Sequence, residues 1–249
     1  MSEPAPAGRS FAETWRQVAA VDGWLSEEQA QRLYDRAAAL PPAANIVEIG
    51  SFRGRSAIIL ASGAPAGAQV LAVDPHLGSD RGPQEIAEDR DLGEEDLREF
   101  RANLSRAGVL ERVRHVRRRS QEALSEAPAS IDLLFVDGAH RYGPARDDLL
   151  RWGARVPPGG HMLVHDSFSS VGVTLALLRH VTPSAGWRYT GRSGSLAEFV
   201  RAPRSTPSLI AQLGELPWFG RNLIVKALIV CGLGRAARVL GHRDGPWPY

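Results

Sequence analysis

Across residues 11–40 apolar positions recur at helical spacing, and Ser26 followed by Glu27 and Glu28 predicts a helix start within that stretch. Pro41 and Pro42 close it. The period then changes. Residues 45–50 (NIVEIG) form a short apolar run ending in glycine, the pattern of a parallel strand buried on both faces. Similar runs follow at 69–74 (QVLAVD), 113–116, 131–137 (IDLLFVD) and 161–166 (HMLVHD). Helical spacing is expected at 56–62, 97–108, 121–126, 144–154 and 171–180, and residues 187–201 supply one or two closing strands. Strands alternating with helices call for a parallel sheet with right-handed crossovers. The expected architecture is α/β: a doubly wound, mainly parallel seven-stranded sheet with N-terminal helices at one edge and a C-terminal helical tail.

A length of 249 residues suits one such domain with appendages. The expected division is a helical cap over 1–40, the sheet domain over 41–203 and an extension over 204–249. Residues 1–10 are rich in Pro, Ala and Gly and should fray, and the polar, glycine-bearing stretch 78–99 is a lid candidate. The tail at 217–249 contains NLIVKALIVCGLG, shorter than the ~20 residues a bilayer span requires. It could pack on the domain, form a dimer contact or meet a lipid-like substrate. A homodimer is the expected assembly.

Charge narrows the choice little. Lys and Arg total 30 against 28 Asp and Glu, so a pI near 9.0 reflects near balance and gives no ground for a nucleic-acid partner. The arginine group Arg112, Arg114, Arg117, Arg118 and Arg119, interleaved with Val113 and Val116, suits the solvated edge of a strand. A single cysteine, Cys231, excludes an internal disulfide and a cysteine-rich zinc site, and is expected as a small buried hydrophobe in a reducing compartment. The start MSEPAPAGRS lacks the basic-then-apolar run of an export signal, so a cytoplasmic location is expected.

The first strand runs into EIGSFRGRS, which sets Glu48, Gly50, Ser51, Gly54 and Ser56 where a strand turns into a helix. Glycines there let backbone approach a ligand, and in doubly wound sheets ligands lie at the carboxyl ends of the strands. Asp74 follows close to the ~20-residue offset at which an acid can accept hydrogen bonds from ribose hydroxyls. These residues resemble the class I S-adenosylmethionine (SAM)-dependent methyltransferases, whose first motif has the form E-x-G-x-x-x-G and whose second strand ends in an acid. That resemblance implies a Rossmann-like fold with SAM as cofactor. It places Glu48 and Gly50 along the methionine part, Asp74 on the ribose, and Ser120 and Gln121 near the adenine, with Ser51, Gly54 and Ser56 also among the cofactor-binding residues. His76 could stack beside the cofactor or be a solvated loop histidine. The dinucleotide fingerprint G-x-G-x-x-G is absent.

The fourth strand ends in FVDGAHRYGPARDD and the fifth in MLVHDSF, so Asp137, His140, His165 and Asp166 should share one rim of the sheet. With the preceding P-G-G turn, the wording resembles bacterial O-methyltransferases carrying D-G-x-H-x-Y and H-D motifs, over roughly residues 45–168. More distantly it is similar to magnesium-dependent catechol and macrolide-sugar O-methyltransferases. That likeness implies a metal on Asp137 and Asp166, with Ser167 at the third position a poor ligand. His165 or His140 could substitute, shifting preference from magnesium towards manganese. Asp137 also belongs to the expected cofactor contacts.

Transfer to a hydroxyl requires a base, and an imidazole titrating near ~6.5 suits the task. His140 is the expected base, with Asp137 orienting it or holding the metal. Tyr142, Arg141 and Asp147 are candidates for shaping the acceptor pocket, with His180 and Trp187 from the closing segment. The resemblance favours a small-molecule hydroxyl acceptor, a saccharide ahead of a phenolic or lipid natural product. Two rivals stay open: a module that only binds a nucleotide cofactor, and an NAD-dependent oxidoreductase on the same fold. An enzyme methylating nucleic-acid amines would need a D/N-P-P-Y/F motif after the fourth strand, which is missing.

Overall fold

In the computed structural model residues 9–80 and 87–241 are described. Residues 1–8, 81–86 and 242–249 lie outside them, and with them most of the segment expected to fray, the middle of the expected lid and the end of the tail.

Helices α1 (Phe11–Val18) and α2 (Glu27–Ala38) begin with reciprocal capping boxes, Ser10 with Glu13 and Ser26 with Gln29. Strand β1 (Asn45–Ile49) leads to α3 (Arg55–Gly63), β2 (Gln69–Val73), α4 (Arg90–Arg106), β3 (Val113–Val116), β4 (Leu133–Val136), α5 (Tyr142–Asp147), β5 (His161–Val164) and α6 (Val171–Ala176). A hairpin of β6 (Trp187–Ser193) and β7 (Leu196–Arg201) precedes the tail helices α7 (Thr206–Leu213), α8 (Leu216–Val230) and α9 (Gly234–Val239).

The seven strands form one sheet in the order β3-β2-β1-β4-β5-β7-β6. β1 pairs parallel with β2 and β4, and of the seven strands β7 alone is reversed, pairing antiparallel with β5 on one side and β6 on the other. This is the expected doubly wound, Rossmann-like sheet. Its order reverses between β1 and β4, where a crevice opens beyond the strand ends.

Strand alternation sends Ile46 and Phe135 to one face, with Leu33, Ile58 and Phe100, and Val47 and Val136 to the other, with Trp152, Phe168 and Leu177. Burying a side chain of this size stabilises by about 1.5–3 kcal/mol.

Five local expectations need correction. Residues 121–126 hold only a single 3-10 turn, Leu124–Glu126. α4 starts seven residues earlier than its apolar spacing suggests, because Asp89 accepts the Asp91 and Leu92 N–H groups and a polar face is tolerated in solvent. The N-terminal helices cover a face of the sheet rather than an edge: Val18, Leu33 and Ala37 share the core of β1 and β2, and Arg32 and Arg36 reach buried Glu198 on β7. Burial raises that carboxyl, but His161 and the two guanidinium groups outweigh it and hold it at about 2. Cys231 is exposed, since it caps α8 on the tail's outer side. The fifth correction, at His76, belongs to the site.

Other expectations hold. β3 is a sheet edge, and its arginines meet solvent and acids: Arg114 pairs with Glu126, Arg117 with Glu94 and Arg119 with Glu88. The tail packs on the domain through Asn222 and Val225, both 0% exposed, yet leaves Ile224, Val230 and Val239 in solvent. Among the described residues no helix is long and apolar enough to cross a membrane.

Candidate active site

One cleft lies at the carboxyl ends of β1, β2, β4 and β5. Of the sequence-predicted site residues, Gly50, Ser51, Ser56, Asp74, His76, Ser120, Gln121, Asp137, His140, His165 and Asp166 all line it. Glu48 and Gly54 do not. Gly54 sits at φ 88° and starts α3 against Phe100, so its part is to turn the chain. Glu48 alternates to the other face of β1, fully buried beneath Ser51 and Ser56.

Gly50 is where the cleft depends on the absence of a side chain. At φ 86° a Cβ would lie 2.1 Å from the Asp137 carbonyl oxygen, so β1 and β4 can converge there only around glycine. Asp74 fixes the turn that follows: one carboxylate oxygen accepts the Ser51 and Phe52 N–H groups, both at 2.9 Å, and the other accepts His76 N–H at 2.7 Å. The acid at the end of β2 thus shapes the glycine bend as well as facing the cleft, its side chain 17% exposed.

His76 is not a solvated loop histidine. Its ring is buried between Phe100 and His115, with Nε2 2.9 Å from the Phe52 carbonyl. A left-handed φ of 46° folds it inward.

Burial pushes the Glu48 carboxyl up to about 8. Ser56 and Ser51 hydroxyls oppose that shift and the charges of Asp137 and Asp74 add to it. Both Glu48 oxygens and the Ser51 hydroxyl lack aligned hydrogen bonds, leaving unpaired polar capacity just under the cleft floor.

On the far wall Ser120 Oγ donates to Asp148, a residue the sequence reading passed over in favour of Asp147. Asp147 points outward and pairs with Arg146. α5 continues as a π turn, Asp148–Trp152, and this wider turn carries Asp148 into the cleft. Burial raises the Asp148 carboxyl to about 7, with the Ser120 hydroxyl opposing. Tyr142 contacts His180 at 2.9 Å outside the cleft lining, and Trp187 is core. Arg141 lines the mouth opposite Asp80.

The ends of β4 and β5 bring four ionisable groups together. His140 Nε2 lies 3.0 Å from Asp166 Oδ2, and His165 Nδ1 lies 3.1 Å from Asp137 and 3.4 Å from Asp166. Burial pulls both imidazoles down. The carboxylates more than compensate, leaving His140 raised and His165 raised well above the usual range. Asp166 is held well below the usual carboxylate range: burial opposes ionisation, but both histidines favour it. His165 therefore lies buried between the two carboxylates, close to both but without an aligned hydrogen bond at either ring nitrogen.

Among the described residues, Asp137, His140 and Asp166 could face one metal ion, with ligand atoms all within 4.8 Å of one another. Of the two histidines expected as substitutes this set contains His140, because His165 approaches the same carboxylates from the buried side. Ser167 is turned away, donating to the Val164 carbonyl.

A family model described as a methyltransferase domain matches residues 47–167. Solved structures of similar fold include the O-methyltransferase TomG of Streptomyces achromogenes, involved in tomaymycin synthesis and in complex with SAM (19% identity, TM-score 0.52, 77% of this chain and 87% of that one). The O-methyltransferase NovP matches at 20% identity and TM-score 0.56, over 71% of this chain and 81% of its own. An O-methyltransferase of Bacillus cereus with S-adenosylhomocysteine (SAH) matches at 20% identity and TM-score 0.52, over 76% and 88%. Residues 47–167 thus match a methyltransferase domain, and they carry the glycine bend, the acid after β2 and the reversal between β1 and β4 on a fold shared with these O-methyltransferases.

Proposed function

We propose that the chain transfers a methyl group from SAM to a hydroxyl of a small molecule, a saccharide ahead of a phenol or lipid natural product, with His140 accepting the hydroxyl proton. The observation that carries this reading is the His140–Asp166 pair beside the Gly50 bend, because it sets a proton acceptor next to the cofactor crevice. SAM supplies the electrophilic methyl. Gly50, Ser51 and Ser56, backed by Glu48, would hold its methionine end, whose charged groups suit the unpaired polar atoms there. Asp74 would take the ribose, and Ser120, Gln121 and Asp148 the adenine.

With Nε2 turned to Asp166, the accepting position on His140 is Nδ1. As the oxygen–methyl bond forms, the O–H bond breaks and the proton passes to His140. The Asp166 carboxylate stabilises the resulting imidazolium, and buried His165 balances the second anion, Asp137. A saccharide is favoured by Trp24, 40% exposed at the mouth against Phe52. It offers an aromatic face to a sugar ring, with Asp22, Asp80 and Arg141 for its hydroxyls.

The convergence of Asp137, His140 and Asp166 supports a second reading in which the step is metal-assisted. These three would hold the ion, which would supply positive charge beside the developing alkoxide, and a set containing imidazole leans to manganese over magnesium. A second copy of the chain would pair through the exposed apolar residues of α7–α9.

Radiolabelled SAM presented with saccharide and phenolic acceptors tests the reading. Label should appear in a saccharide, fall about 100-fold or more with His140→Ala, and survive chelation. Undiminished transfer by His140→Ala would remove the base. Loss on chelation with recovery on added manganese would favour the metal reading.

A further inference from the structure

We propose that Asn222 and Lys226 of α8 are positioning residues for Asp166, so that the C-terminal tail, beyond the span of the methyltransferase match, completes the active site. The inference rests on the reading of Asp166 as partner of His140. It goes beyond that reading in assigning a site role to the tail.

Asp166 and Phe168 are non-glycine residues at φ 55° and 57°. Backbone of this kind persists only where the surroundings over-determine it. Part of the restraint is local: Ser167 N–H donates to the Ser195 carbonyl at 2.9 Å, and the Ser169 and Ser170 N–H groups donate back to the Asp166 carbonyl. Two further carbonyls of the loop are bound from the tail. Asn222 Nδ2 donates to the Phe168 carbonyl at 3.0 Å and Lys226 Nζ to the Ser169 carbonyl at 2.8 Å. Their i, i+4 spacing puts both donors on one face of α8, facing one loop.

Asn222 is completely buried, and its amide orientation is set by Arg221, which donates to Oδ1 at 2.7 Å. Lys226 is the only lysine among 30 basic residues. Burial lowers this amine, and the Asp166 charge opposes the shift. Rotation of the 166–169 backbone would carry the Asp166 carboxylate away from His140 and His165, which it meets at 3.0 and 3.4 Å. No direct contact of the tail with substrate is needed.

The test uses the full chain with Lys226→Met, which keeps the stem and loses the ammonium, Asn222→Leu, and Lys226→Arg, which restores a charged donor. Three readouts need no acceptor: amide hydrogen exchange of 165–170, the side-chain 15N signals of His140 at fixed pH, and SAH affinity by calorimetry. Lys226→Met and Asn222→Leu should speed exchange of 165–170 roughly tenfold or more while 45–74 stays as in the parent protein. They should also move the His140 signals towards those of an imidazole without a carboxylate neighbour and leave SAH affinity within about twofold. Lys226→Arg should recover the parent signals.

Unchanged exchange and unchanged His140 signals in Lys226→Met would overturn the proposal, even if Asn222→Leu did not fold. So would acceleration spread evenly over 45–74 and 165–170, or a Lys226→Arg protein no better than Lys226→Met. Failure of the parent protein to bind SAH would instead strike at the methyltransferase reading, whatever the loop does.

Discussion

Glu48 shows how a single buried acid links stability to the site. Its carboxyl stays protonated up to about 8 in the folded chain but ionises near 4.5 when unfolded. Between those values folding takes up a proton, so stability falls as pH rises and levels off above 8. Glu48→Gln removes this dependence. Its gain over the parent protein should be negligible at pH 4 and grow to the order of a few kcal/mol by pH 8, read by urea unfolding at a series of pH values. A gain that does not vary with pH would mean that Glu48 is ionised in the fold. The sequence reading put Glu48 in the cofactor motif, and strand alternation puts its side chain under the cleft rather than in it. His76 was undecided for a similar reason: a left-handed residue tucks the ring into a pocket of Phe100 and His115 that no linear spacing announces.

At the scale of elements, the strand ends were the legible part. Gly50, Asp74, Asp137 and Asp166 each follow a short apolar run, and in a parallel sheet such positions gather at one rim. Asp148 was missed because its placement depends on the π turn after α5, which adds backbone within the turn and brings Asp148 inward instead of Asp147. The early start of α4 was hidden because Gly93 reads as a breaker. Its missing side chain instead allows the helix to cross the His76 carbonyl, which a Cβ would approach to 2.2 Å.

The Asp148 carboxyl titrates at about 7, and an adenine amino group donates best to its ionised form. SAH affinity should therefore rise between pH 6 and 8 by up to roughly tenfold and be flat across that range in Asp148→Asn. Equal pH dependence in the two proteins would take Asp148 out of the adenine wall.

For the whole molecule, the doubly wound sheet and its switch point followed from the order of strands and helices. The role of the tail did not. An apolar run with one lysine has no periodic feature that reveals two donors aimed at a loop more than fifty residues earlier, because that contact exists only after β6 and β7 have returned the chain to the sheet edge.

On the proposed function the crevice between β1 and β4 holds SAM while His140 serves the acceptor side. Calorimetric titration of the parent protein and His140→Ala with SAH, and with NAD in parallel, distinguishes this from its rivals. One SAH site of nearly equal affinity in both proteins and no heat with NAD are expected. Heat with NAD alone, or none with SAH, would contradict it.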